Sequence, residues 1–141
     1  MNLKKNIENI KKNYSIGIIG GGQLALMLAE AANNRGIKVC VQTKSSNDPA
    51  GSKADYVIEA DPLKVKGNKD LIKECEKIIF ENEWIKIEKL ILIESKNIFV
   101  PSLESIQPLV DRISQKILIE RLNLPSPCLL YTSPSPRDLS T

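Results

Sequence analysis

Apolar runs too short to be helices alternate with amphipathic stretches too long to be strands along most of this chain. Ile16-Gly17-Ile18-Ile19 predicts a buried strand over about 14–19. Gly20-Gly21-Gly22 follow at once, and then a helical pattern opens. Leu24, Met27, Leu28 and Ala31 recur at i, i+3, i+4 and i+7, which predicts a helix over about 23–35 with these residues on its packed face. Gly36 stands where that helix ends, with Arg35 in its last turn. The β-prone stretch 37–42 is the second strand, and connections this short make the two strands parallel, with a right-handed crossover.

The rest continues the alternation. Residues 45–53 form a polar loop dense in turn formers, and Tyr56 to Ile58 a brief strand. Asp61-Pro62 opens a turn, and Asn68 or Asp70 is expected to cap a short helix through Glu76. Residues 77–80 read as a buried strand that ends in Glu81-Asn82-Glu83-Trp84. Ile87, Leu90 and Ile91 keep helical spacing within 85–93, and 98–100 is a last short strand closed by Pro101. Ser102 caps a short turn or helix. Pro108 suits the first turn of a longer helix reaching to about Leu122, with Leu109, Ile113, Ile117 and Leu118 as its apolar face. Asp111, Arg112, Gln115 and Lys116 are then its polar positions, and Asn123-Leu124-Pro125 ends it. The pattern is that of an α/β fold built on a doubly wound parallel sheet.

Composition narrows the chemistry. At 141 residues the chain is one domain, or one domain and part of another. The net charge of +3 is slight and no basic cluster alternates with aromatics, which argues against nucleic acid. The chain has no histidine, which removes histidine catalysis and most zinc sites. Cys40, Cys75 and Cys128 are far apart and lack C-x-x-C spacing, so they read as reduced thiols of a cytoplasmic protein. No stretch has the pattern of a membrane span or signal peptide.

The glycine turn carries the candidate chemistry. Between a strand and a helix start, free backbone amides and the helix dipole make an anion site. Gly20-x-Gly22-x-x-Ala25 fits the dinucleotide fingerprint, and three consecutive glycines favour a phosphate-bearing ligand over a turn that only packs. A dinucleotide fold also places an acid at the end of its second strand, about 20 residues on. Here Gln42, Thr43 and Lys44 stand there, and Asp48 lies out in the loop. NAD is disfavoured; NADP, with Lys44 near a 2′-phosphate, is the minor option. Glu81 and Glu83 follow a strand's carboxyl end, where ligands of open α/β sheets gather. They read equally as substrate contacts or as the acidic first turn of the next helix.

Several of these segments together resemble the N5-carboxyaminoimidazole ribonucleotide synthase family of ATP-grasp ligases in purine biosynthesis. They are I-G-I-I-G-G-G-Q-L-A-L-M from Ile16 to Met27, Asp48-Pro49-Ala50-Gly51, Ala54-Asp55, and Phe80 to Trp84. Pro101-Ser102-Leu103-Glu104-Ser105-Ile106, Asp111-Arg112-x-x-x-Lys116 and Leu124-Pro125-Ser126-Pro127 complete the set. The resemblance implies a polar extension over 1–13, a Rossmann-like pre-ATP-grasp domain over 14–107 and the start of an ATP-grasp module over 108–127. It further implies that MgATP converts bicarbonate to carboxyphosphate, whose carboxyl passes to the amine of aminoimidazole ribonucleotide. By the same resemblance Gly22, Gln23 and Leu24 face the ribonucleotide, either Glu81 or Glu83 contacts it, and Arg112 and Lys116 serve ATP. A cytoplasmic enzyme that is a homodimer at full length follows too, with magnesium ligands outside these residues. One departure is Leu26, where the family usually has arginine.

Past Pro127 the resemblance stops. The run Tyr131-Thr132-Ser133-Pro134-Ser135-Pro136-Arg137-Asp138 reads as translated adapter sequence, with a native Ser/Pro linker as its rival. Residues 128–141 are therefore expected to be a non-native, unfolded tail, and the chain by itself to be inactive as a ligase. The competing classes are an NAD(P)-dependent oxidoreductase, a non-catalytic nucleotide-binding module and a glycinamide ribonucleotide transformylase of the same fold.

Overall fold

A computed structural model describes residues 12–82, 84–94 and 97–125 of the chain. Four strands form one sheet: β1 (Tyr14–Ile19), β2 (Val39–Thr43), β3 (Tyr56–Glu59) and β4 (Cys75–Phe80), in the order β3-β2-β1-β4. All three pairings are parallel, with Ile19 opposite both Gln42 and Phe80, and Thr43 opposite Glu59. A parallel sheet needs a crossover between strands, so both of its faces become covered and its inner strands dry out. Every residue of β2 is buried.

Successive side chains of a strand point to opposite faces, and two cores result. Ile18, Val39 and Val41 pack with Ala25, Ala29 and Ala32 of α1 (Gln23–Asn33) and with Ala50. Ile19, Cys40 and Ile78 pack on the other side with Leu71 of α2 (Val65–Glu74) and with Ile87 and Leu90 of α3 (Ile87–Ile91). Leu103 of α4 (Leu103–Ile106) closes that second core. The expected doubly wound sheet is therefore present, with helices on both faces.

Three local expectations are corrected. The packed face of α1 is its alanine stripe; Leu24 is 50% and Met27 64% exposed. Both stripes have helical spacing, and close approach to the sheet selects the smaller side chains. Helix α2 begins at Val65, ahead of Asn68, whose buried amide donates to the Pro62 carbonyl at 3.4 Å rather than capping. Pro108 lies in a separate 3-10 turn over Gln107–Leu109, and α5 (Arg112–Arg121) starts only after Asp111. Asp111 is extended and its carboxylate accepts the Ser114 N–H at 2.8 Å, so this local cap sets the start. None of the residues of α5 is buried, and Ile113 and Ile117 face outward at 71% and 45% exposure.

The stretch 98–100 is reduced to one bridge between Phe99 and Ile78. Ser102 caps α4 as expected, its hydroxyl accepting the Ser105 N–H. Cys40 and Cys75 are free and fully buried. A hydrogen bond with Cys75, together with burial, pushes the Cys40 thiol far up, so it stays protonated and unreactive. Cys128 and the tail lie outside the described residues. No helix among those described is long and apolar enough to cross a membrane.

Candidate functional site

The strands end together, and their last backbone bonds carry the pairing into the loops. Gly20 N–H donates to the Gln42 carbonyl and Glu81 N–H to the Ile19 carbonyl, both at 3.0 Å. This places the loop after β4 against the loop after β1. Gly20 has φ +119°, a conformation open to glycine at little cost. Gly22 N–H then donates to Glu81 Oε2 at 3.0 Å, and a Cβ at Gly22 would strike that carboxylate.

The amide expected to meet a phosphate is thus bonded to a protein carboxylate. Glu81 supplies the negative charge that the N-terminus of α1 favours, since no side chain of its own caps that helix. Gln23 and Leu24 follow in its exposed first turn. Leu26, at the position of the family's arginine, packs partly buried against the alanine-stripe core.

An open cleft of about 230 Å³ lies beyond the strand ends, walled by Gly20, Gly21 and Glu81 on one side. Thr43, Lys44 and Asp48 wall it on the β2 side, and Asp61, Pro62, Leu63, Asn82 and Trp84 complete its rim. The Thr43 hydroxyl donates to the Asp48 carboxylate. Asp61 accepts the Leu63 N–H at 2.9 Å, and its carboxyl lies below the usual range because of that bond, with Lys44 adding to the effect. Lys44 Nζ is 3.7 Å from Asp61 Oδ2. Glu81, Asp48 and Asp61 therefore face a single lysine, Lys44, which suits the cleft floor to a ligand's hydrogen-bond donors more than to its phosphate. Fully buried Gln42 supports the rim from behind, donating through Nε2 to the Asp61 carbonyl at 3.2 Å.

Arg112 lines a second groove of about 430 Å³ with Phe80, Pro101, Ile106 and Gln115. Asn82 borders both hollows, so the groove adjoins the cleft. Lys116 lies one turn farther along α5. The structure thus brings Glu81 to Gly22 and sets Arg112 next door, while Glu83 falls outside the described residues.

Thr43, Asp48, Asp61 and Trp84 were not anticipated as cleft residues. Two of them carry a signal: Asp48-Pro49 and Asp61-Pro62 each follow the carboxyl end of a parallel strand. The turn Pro49–Ser52 folds back onto α1, with Ala50 fully buried and its N–H donating to the Gly21 carbonyl at 3.0 Å. That turn ties the loop after β2 to the glycine loop after β1. Among the described residues no group of His, Cys, Asp or Glu could hold a metal ion.

Comparison with known proteins sharpens this geometry. The family model for the ribonucleotide synthetase preATP-grasp domain matches residues 13–109. An N5-carboxyaminoimidazole ribonucleotide synthase from Synechocystis sp. strain PCC 6803 is 38% identical over 117 residues, covering 82% of this chain and 30% of the relative. The crystal structure of N5-carboxyaminoimidazole ribonucleotide synthetase from Thermotoga maritima superposes with a TM-score of 0.75 at 28% identity, covering 89% of this chain and 35% of that one. An Aspergillus clavatus N5-carboxyaminoimidazole synthase, solved with ADP and 5-aminoimidazole ribonucleotide, gives a TM-score of 0.73 at 28% identity over 81% of this chain and 31% of that one. The chain spans about 30% of the length of the curated relatives it matches.

Proposed function

The chain belongs to the ribonucleotide synthetase pre-ATP-grasp family, and from that membership we propose that it is the ribonucleotide-facing domain of an ATP-dependent carboxylating ligase. The substrate is aminoimidazole ribonucleotide. ATP phosphorylates bicarbonate to carboxyphosphate and leaves as ADP; the substrate amine then attacks the carboxyl carbon, phosphate departs and the amine loses a proton. Bicarbonate is a poor electrophile until it carries that leaving group, and the mixed anhydride must be kept from water. Bicarbonate, a homodimeric assembly and a cytoplasmic setting follow from the family resemblance.

The observation that carries the reading is the Glu81 carboxylate held beside Gly22 at the strand ends. In the proposed complex Glu81 accepts a hydrogen bond from the ribonucleotide and orients it, while the amides of Gln23 and Leu24, next to the Gly22 N–H that Glu81 already holds, face its phosphate at the start of α1. Glu83, two positions after Glu81 in the sequence, is the other carboxylate with a claim to that contact. Arg112 and Lys116, one turn apart on α5, contribute positive charge toward the ATP phosphates; the guanidinium suits this through paired, charge-assisted bonds. Magnesium would screen the ATP phosphates when bound, but the described residues gather no ligand set that fits it.

Isothermal titration of the chain tests the proposal. Aminoimidazole ribonucleotide is expected to bind, NADPH to give no heat, and Glu81→Gln to weaken ribonucleotide binding about tenfold, the scale of one charge-assisted hydrogen bond. Heat from NADPH with none from the ribonucleotide would return the fold to the oxidoreductase class.

A further inference from the structure

Trp84 stands at the rim of the cleft with 80% of its surface exposed. The backbone on either side is anchored. Phe80 stacks on Phe99 with ring centroids 5.4 Å apart, Trp84 N–H donates to Asn82 Oδ1 at 2.9 Å, and Ile85 and Ile87 are buried in the second core. A large aromatic side chain is thus presented to water beside anchored neighbours, at considerable hydrophobic cost. Leu63, 40% exposed, and Pro62 line the same opening, together with the carboxylates of Glu81, Asp48 and Asp61. An apolar rim over a few convergent polar acceptors is the usual make-up of a small-molecule site.

We propose that Trp84 is the stacking platform of this cleft, taking the flat face of a nitrogen heterocycle whose donors reach the Glu81 carboxylate. The inference rests on the ribonucleotide reading above and adds the residue that recognises the ring. An indole offers a wide π-face and favours offset stacking or edge-on contact with another ring. A sugar phosphate without a base has nothing to place there.

The chain has a single tryptophan, so its intrinsic fluorescence reports Trp84 alone. Titration with aminoimidazole ribonucleotide is expected to change that fluorescence, and ribose 5-phosphate to leave it unmoved. By calorimetry Trp84→Ala should bind the ribonucleotide about tenfold more weakly, Trp84→Phe should recover most of the loss, and ribose 5-phosphate binding should be the same in all three proteins. The exposed position leaves the fold intact, which far-UV circular dichroism of each variant checks. Calorimetric binding with unchanged fluorescence, or with full affinity in Trp84→Ala, overturns the stacking role and leaves the ribonucleotide reading standing. No heat from the unsubstituted chain overturns both.

Discussion

Helices α1 and α5 are nearly equal in length, and the sequence gives each an apolar stripe, yet the molecule uses them in opposite ways. Helix α1 buries Ala25, Ala29 and Ala32 against the sheet and borrows a carboxylate from the loop after β4 to complete its first turn. Helix α5 buries nothing among the described residues and completes its first turn with its own Asp111. A helix whose start is satisfied from 59 residues away depends on the tertiary fold, and its first turn becomes part of a site. A helix capped from within can form wherever it is carried, which suits Arg112 and Lys116 to a groove that other residues help to build.

The largest effect is expected where α1 touches the sheet. Ala29→Leu adds volume at a fully buried contact with Ile18 and Val41 and should destabilise by about 1–3 kcal/mol in urea unfolding. The mirror experiment, Ile117→Ser on α5, should stay within about 0.5 kcal/mol. A loss above 1 kcal/mol in the second variant would show that the α5 face is covered in solution, and would break the contrast.

The same contrast explains what could be read from the chain alone. Strand positions were legible because Ile16 to Ile19, Val39 to Val41 and Ile78 to Phe80 are apolar runs inside a parallel sheet, where both faces are buried. The packed face of α1 was not, since periodicity finds a stripe without saying that a close sheet prefers alanine to leucine. Glu81 could be placed near the glycines from its strand end. Its bond to Gly22 could not, because it depends on how β1 and β4 align. Asp48 and Thr43 were hidden for a related reason: the loop after β2 doubles back, and only the fold brings that carboxylate to the strand end. The start of α5 was misjudged because proline at a first helical turn also suits a 3-10 turn.

An intermediate effect is expected at the borrowed cap. Glu81→Gln keeps an acceptor for Gly22 N–H but removes the charge that the dipole of α1 favours, so stability should fall by about 1 kcal/mol. Chemical denaturation gives the number, and added salt should shrink it, because the carboxylate is only partly buried. Equal stability in both proteins would mean that Glu81 is held there for the ligand alone.

The smallest effect separates the two caps by pH. Asp111 accepts the N–H and the hydroxyl of Ser114, and these bonds hold its carboxyl below its ordinary value of 3.8. A depressed folded-state pKa means that the unfolded chain takes up the proton first. The cap's contribution is therefore complete above pH 3.8 and is lost as the pH falls through the lower folded value. The group is fully exposed, so solvent screening keeps the contribution small and local. Amide chemical shifts followed by NMR from pH 5 downward should show Ser114 moving below pH 3.8 in the unsubstituted chain and standing still in Asp111→Asn. Because Asp111→Asn keeps a good capping residue, α5 itself should persist in the variant. Loss of the helix there would mean that charge rather than hydrogen bonding starts α5, and that its first turn is as electrostatic as that of α1.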